Sequence, residues 1–255
     1  MKGIILAGGK GTRLKPLTDV VCKQLLPVYD KPMIFYPLST LISIGITEIL
    51  IISNKKDVPL FKDLLGDGSS LKIKLDYEIQ DQPNGIAEAF IIAESFIGES
   101  NVCLILGDNI FYDKGIFNNI NLIKLNLGSK VFIKNVDDPS SYGVLEFDSN
   151  KNPLIIHEKP KKFISNYAVV GLYMYDNSVI ENVKSLIPSN RGELEITDLN
   201  NIYIKENKCE VIKMSEKSHW FDSGTFESLN DSSRFVRNIQ KSKNKPFGLI
   251  NKFNK

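Results

Sequence analysis

The sequence predicts an α/β protein in which a mixed, mostly parallel sheet is flanked by helices and accompanied by a smaller antiparallel lid. Three observations carry that expectation. Short apolar runs at residues 3–7, 49–52 and 102–106 read as buried strands. Between them, residues 32–44, 58–65 and 86–96 space their apolar side chains as helices do. Strands alternating with helices imply right-handed crossovers and parallel pairing, and in such sheets ligands bind outside the carboxyl ends of the strands.

Strand 3–7 runs at once into Gly8, Gly9 and Gly11, with Thr12, Arg13 and Lys23 beyond them. Glycine reaches positive φ and has no Cβ, so consecutive N–H groups can converge on anionic oxygens, to which the hydroxyl and two cations add. A plain tight turn is the alternative, and Arg13 and Lys23 weigh against it. The pattern is not a Walker A loop, and Leu14 stands where the third glycine of the dinucleotide fingerprint belongs. Helix 32–44 has a proline near its start, and Pro37 is expected to bend or restart it. Strand 49–52, helix 58–65 and an alternating strand 71–79 come next, the last with Ile73, Leu75, Tyr77 and Ile79 on one face. Helix 86–96 leads to strand 102–106, which ends at Gly107-Asp108-Asn109.

The second half is less regular. Strands are expected at 130–136, 144–147, 154–157 and 168–173, extending the sheet and forming the lid, then a helix at 195–205, a strand at 209–214 and a closing helix at 225–239. Residues 240–255 carry five lysines and no acid and read as a basic, solvated tail. With 255 residues, 42% of them hydrophobic, and no long Pro/Gly/Ser linker, a single domain over 1–239 is expected.

A net charge of +2 with both signs interspersed argues against a nucleic-acid binder, whose basic residues would cluster. Cys22, Cys103 and Cys209 are far apart and form no C-x-x-C pair, so neither a disulfide framework nor a zinc site is indicated. No apolar run reaches transmembrane length and no cleavable leader is visible, so no membrane partner is expected and the cytoplasm is the default location. His157 and His219 have no Ser or Cys nucleophile in a triad setting, which argues against covalent hydrolase chemistry. Asp108 and Asp222 are each open to a bland reading as a cap or turn former. Together they also fit a magnesium site, since Mg²⁺ is held by one or two carboxylates plus phosphate oxygens and water.

The runs GGKGTRL and CKQLLPVYDKPMIFYPLSTL, with Gly107-Asp108-Asn109, Tyr142-Gly143, Glu158-Lys159-Pro160, RGELEITD at 191–198 and Trp220-Phe221-Asp222-Ser223-Gly224-Thr225, resemble the motifs of sugar-1-phosphate nucleotidylyltransferases, most closely the glucose-1-phosphate thymidylyltransferases. The similarity covers the chain to about Arg237. It implies a Rossmann-like nucleotide-diphospho-sugar transferase fold whose antiparallel lid binds sugar. The implied reaction is Mg²⁺-assisted in-line attack of glucose 1-phosphate on dTTP, giving dTDP-glucose and pyrophosphate, the first step of dTDP-sugar synthesis. By the resemblance, Arg13, Lys23 and Lys159 are catalytic, and Leu6, Gly8, Gly9, Gly11, Thr12, Gln80 and Gly85 bind the nucleotide. Asn109, Tyr142, Gly143, Glu158 and Val170 contact the sugar, and Asp108 and Asp222 hold the metal.

From sequence alone Lys159 beside Glu158 reads equally as a surface ion pair, and the Gln80–Gly85 stretch as a solvated turn. Cys22 and Asn84 depart from the residues usual at their positions without removing a charge. Two alternatives compete: a UTP-using or other sugar-1-phosphate nucleotidylyltransferase, and an inactive sugar-nucleotide-binding regulator, which need not keep the metal pair. A glycosyltransferase would usually carry an Asp-x-Asp pair, and none stands at the strand end. The resemblance also implies a homo-oligomer. It further implies a short form without the C-terminal helical extension that builds a regulatory site in longer relatives, an expectation to which Asp113-Lys114-Gly115 contributes by departing from the pattern near that site.

Overall fold

The computed structural model describes residues 1–9, 11–113, 115 and 124–248. In chain order its elements are β1 (Lys2–Leu6), β2 (Pro27–Val28), β3 (Lys31–Pro32), α1 (Phe35–Ser43), β4 (Glu48–Ser53), α2 (Val58–Leu65), β5 (Lys74–Ile79), α3 (Glu88–Ile92), α4 (Glu94–Ile97), β6 (Val102–Leu106) and β7 (Ile110–Tyr112). They continue with β8 (Ser129–Asn135), β9 (Gly143–Phe147), β10 (Pro153–Glu158), β11 (Tyr167–Tyr175), α5 (Val179–Lys184), α6 (Ile196–Lys205), β12 (Cys209–Lys213), β13 (His219–Phe221) and α7 (Phe226–Lys243). The chain divides into two compact units. Gly3–Gln82, Ile105–Tyr112 and His219–Lys255 form the first; Met1–Lys2, Pro83–Leu104 and Asp113–Ser218 form the second.

In the first unit β1, β4 and β5 pair in parallel, Gly3 opposite Ile49 through Leu6 opposite Ile52, and Glu48 opposite Lys74 through Ser53 opposite Ile79. Ile4, Ile5 and 49–52 are almost wholly buried, as continuous apolar strands covered on both faces must be. β5 is shorter than expected because 69–71 form a 3-10 turn, and its apolar face opens to solvent at Ile79. α2 buries Val58, Phe61 and Leu65, an i, i+3, i+7 stripe. α1 starts at Phe35 with Pro37 inside its first turn, where no N–H is needed, so the proline opens the helix instead of bending it.

Val28, Met33, Tyr36, Ile110 and Val236 form a core against which Phe221, Leu229 and Phe247 pack. α7 runs to Lys243, four residues past the expected end, and the Phe247 ring lies 5.8 Å from that of Tyr36 and 5.4 Å from that of Tyr112. Residues 241–246 are exposed, as a solvated stretch would be, but 240–243 continue the helix and Phe247 departs from that expectation because it has aromatic rings to pack against. Residues 249–255 lie outside the described residues.

The second unit carries β8 to β12. β9 pairs antiparallel with β10 and β11, β8 pairs antiparallel with β11, and β12 lies parallel to β8. β11 is buried along eight of its nine residues, so it behaves as a central strand, and its register against β8 shifts between Val169 and Tyr173. α6 packs on β10. The single helix expected at 86–96 is instead two short ones meeting at Ala93, whose φ of −87° and ψ of 4° leave the helical region. No helix among the described residues is long and apolar enough to cross a membrane.

Candidate active site

The loop after β1 is built by its glycines. Gly9 and Gly11 take φ of 102° and 56°, and a Cβ on Gly11 would come within 2.8 Å of Thr18 Cγ2. The Thr18 hydroxyl donates to the Gly11 carbonyl at 2.7 Å, and Leu14 N–H closes a 3-10 turn over Thr12–Leu14 by donating to the same carbonyl. Thr12 and Arg13 stand exposed on that turn, while Leu14 anchors it in the core. Gly8 lets Gln80 approach: a Cβ there would stand 3.0 Å from Gln80 Oε1, so that side chain would have to give way. Gln80 is buried, and its N–H donates to Ser53 at the end of β4. Leu6 accepts from Gly107 N–H at 2.9 Å, which sets the ends of β1 and β6 side by side.

Lys23 occupies the centre of this unit's polar cluster. It is 7% exposed, and its ammonium donates to Asp108 Oδ2 at 2.5 Å and to the Asp222 carbonyl at 3.2 Å. The two aspartates, 114 residues apart in the chain (222 − 108), are brought together by the β7–β13 ladder, in which Phe221 lies opposite Ile110. At the end of that ladder Asn109 donates to Asp108 Oδ1 at 2.7 Å, and Trp220 Nε1 donates to Asn109 Oδ1 at 2.6 Å. Asp222 Oδ1 accepts from Gly224 N–H at 3.3 Å, and a Cβ on Gly224 would fall 2.7 Å from the Arg13 guanidinium. Between them Ser223 is wholly buried at φ 42°, a conformation that a non-glycine residue adopts only when its surroundings impose it.

A hard divalent cation fits this donor set. Both carboxylates supply oxygen, the ligand atom that hard divalent cations take. Among the described residues no three His, Cys, Asp or Glu side chains gather as a metal cluster, so an ion here would take further oxygens from phosphate and water.

Gly85, Tyr142, Gly143, Glu158, Lys159 and Val170 belong to the second unit. Gly143 opens β9 opposite Glu158, and a Cβ there would come within 3.2 Å of both Ile156 and the Thr197 hydroxyl. Glu158 Oε2 accepts from Thr197 Oγ1 at 2.6 Å, and Glu158 Oε1 lies 3.4 Å from both Lys159 Nζ and Arg191 Nη2. Lys159 itself takes φ 42°, held by its N–H donating to Tyr142 at 3.0 Å. Val170 is fully buried in β11, at the register shift. Gly85, at φ 109°, could bear no Cβ without overlapping the Leu194 carbonyl, so this glycine is required by the backbone.

Three polar residues escaped the sequence reading. Arg191 binds both oxygens of Glu195, at 2.9 and 2.8 Å, and that pairing holds its guanidinium pKa above the ordinary value. Asp198, beside them, has its pKa raised by burial and then by Glu195 and Glu158. Gln24 is buried next to Lys23 with its Oε1 unpartnered among the described residues. The run at 191–198 was visible as a motif, but nothing local distinguishes its arginine from a surface residue; Gln24 sits one residue past the lysine, and its burial depends on distant neighbours. The cysteines offer no nucleophile: burial raises the thiol of Cys22 to about 12 and that of Cys209 to about 11, and holds Cys103 up as well. His157 Nε2 lies 2.6 Å from Glu146, and His219 stacks near Phe221.

A family model described as nucleotidyl transferase matches residues 2–239. A glucose-1-phosphate thymidylyltransferase from Neisseria gonorrhoeae is 51% identical over 245 residues, 96% of this chain and 85% of that protein. One from Mycobacterium tuberculosis (strain H37Rv) is 48% identical over 241 residues, 94% and 84% of the two chains. A crystal structure of a Bacillus anthracis protein assigned as a glucose-1-phosphate thymidylyltransferase superposes with a TM-score of 0.86 at 42% identity, covering 94% of this chain and 96% of that one. A UDP-glucose pyrophosphorylase complexed with UDP-glucose is similar in fold alone, at a TM-score of 0.80 and 24% identity over 93% of this chain and 98% of that one. With its motifs, its mixed sheet and a family match from residue 2 to residue 239, the chain belongs to the nucleotidyl transferase family.

Proposed function

We propose that this chain is a glucose-1-phosphate thymidylyltransferase, joining dTTP and glucose 1-phosphate into dTDP-glucose with release of pyrophosphate. The observation that carries the reading is the meeting of Lys23, Asp108 and Asp222 at one ladder end, beside the glycine loop, in a chain about half identical to proteins of that name.

The chemistry asks little of a protein base. A phosphate monoester has a second pKa near 6, so its oxygen is already ionised near pH 7 and needs no proton removed. The obstacle is repulsion: two like unit charges about 4 Å apart cost roughly 4 kcal/mol at an effective dielectric of 20, and several such pairs must meet. An oxygen of glucose 1-phosphate attacks the α-phosphorus of dTTP, the α–β bridging P–O bond breaks, and pyrophosphate leaves with the electron pair. Gly8, Gly9 and Gly11 offer N–H groups to the triphosphate, with Leu6 and Thr12 beside them. Arg13 and Lys23 neutralise charge at the reacting phosphates, as preorganised cations do most effectively.

Magnesium, bound by Asp108 and Asp222, would supply further positive charge there. Gln80 presents an amide donor and acceptor to the base, with Gly85 in the same loop. Lys159 takes the sugar phosphate, and Glu158, Asn109, Tyr142, Gly143 and Val170 line the sugar. The reading treats 1–239 as one catalytic module acting in the cytoplasm as a homo-oligomer. Incubation with glucose 1-phosphate and each of dTTP, UTP, CTP, GTP and ATP, following pyrophosphate, should show release with dTTP that needs added Mg²⁺. A clear preference for UTP would replace the reading with its UTP-using counterpart.

A further inference from the structure

We propose that Asn201 is a positioning residue for the sugar phosphate, acting through strand β10. The proposal rests on the functional reading above and extends it to a residue that touches no substrate.

β10 ends the path of paired strands in its sheet, with β9 as its neighbour. Alternate residues of an edge strand point N–H and C=O away from the ladder, and such edges open easily. At Ile156 one side chain takes both groups: Asn201 Oδ1 accepts from the Ile156 N–H at 2.8 Å, and Asn201 Nδ2 donates to the Ile156 carbonyl at 2.9 Å. A primary amide offers the donor and acceptor of a peptide unit, so Asn201 replaces the missing neighbouring strand at that residue. One turn earlier on α6, Thr197 donates to Glu158. Positions 197 and 201 lie on one helix face, and 156 and 158 lie two apart on the strand, so helix and strand are fixed to each other at two points.

The residues at the end of β10 depend on that fixation. Lys159 leaves the strand in a left-handed conformation, and Glu158 is crowded by Gly143, Thr197 and Arg191. Neither geometry is chosen by local preference, so both depend on where β10 is held. The groups proposed for the triphosphate, from Gly8 to Lys23, are in the other unit. Loosening β10 should therefore weaken one substrate and spare the other.

The test compares Asn201→Leu, which removes both bonds while keeping the branched shape, with Asn201→Asp, which keeps only the acceptor. Tyr203→Phe, which removes a hydroxyl contact to Ser178 from the same helix, controls for lost stability alone. In Asn201→Leu the KM for glucose 1-phosphate should rise on the order of ten- to a hundredfold, the scale of effects from small misplacement of reacting groups, with the KM for dTTP unchanged. Asn201→Asp should be intermediate, and Tyr203→Phe should match the wild type. Both KM values rising together, or neither, overturns the proposal. If Asn201→Leu does not fold, Asn201→Asp decides it, together with hydrogen exchange at the Ile156 amide, which must be as slow in the wild type as ladder amides. Wild-type protein that releases no pyrophosphate overturns the functional reading; wild-type turnover with unchanged Asn201 variants overturns only this proposal.

Discussion

Lys23 is kept almost out of water, and its ammonium meets Asp108 and the Asp222 carbonyl in place of solvent. The two aspartates are not equivalent in that respect. Asp108 supplies a carboxylate to the ammonium, whereas the contact from Asp222 is through its backbone. Asp108→Asn and Asp222→Asn should both abolish turnover, since each removes charge from the proposed metal pair. Asp108→Asn should also cost about 1 to 3 kcal/mol of stability, the range for uncoupling a largely buried, partly solvated charge pair. Activity and thermal unfolding on the same preparations check this; near-normal magnesium-dependent turnover in either variant would remove that residue from the site. Asp108 was legible in sequence because it ends an apolar strand, where α/β folds expose ligand groups. Its pairing with Lys23 was not, because an 85-residue separation leaves no local trace.

β7 and β13, three residues each, join Gly107-Asp108-Asn109 to Trp220-Phe221-Asp222. Sequence periodicity cannot find so short a non-local ladder, although its strands lie inside two motifs that were visible. The long apolar strands were legible almost to the residue, as at Val102–Leu106, since burial on both faces demands an unbroken run. Helix ends were less so: α7 continues past Ile239 because its stripe of Leu229, Ser232 and Val236 fixes only its middle. Its start is set by a capping box, Thr225 Oγ1 accepting from Ser228 N–H at 3.1 Å and Ser228 Oγ from Thr225 N–H at 3.0 Å. Thr225→Ala should destabilise the protein by about 1 kcal/mol, lowering the melting temperature by roughly 2–4 °C. An unchanged melting temperature would mean that packing, and not the cap, fixes this end.

Across the whole molecule the groups proposed for the triphosphate and the metal lie in one unit and, Asn109 apart, those proposed for the sugar lie in the other, and only Gln80 and Gly85 are proposed for the base. Discrimination between dTTP and UTP should accordingly be modest. A pocket methyl is worth only about 1–3 kcal/mol, roughly 10- to 200-fold, and any further preference must come from the ribose 2′-hydroxyl. Comparing kcat/KM for dTTP, dUTP and UTP separates the two contributions, and selectivity far above that range between dTTP and dUTP would mean that the base site holds polar contacts beyond Gln80. The proposed chemistry depends on neutralised anions reacting directly, with no nucleophile from the protein: the thiols are held protonated by burial, and His157 is paired with Glu146. The stereochemistry at the α-phosphorus tests that most directly, using the α-thio analogue of dTTP with one chiral configuration and glucose 1-phosphate. A single in-line displacement inverts that centre, and inversion is the predicted result; retention would show two displacements through a nucleotidyl-enzyme and contradict direct attack.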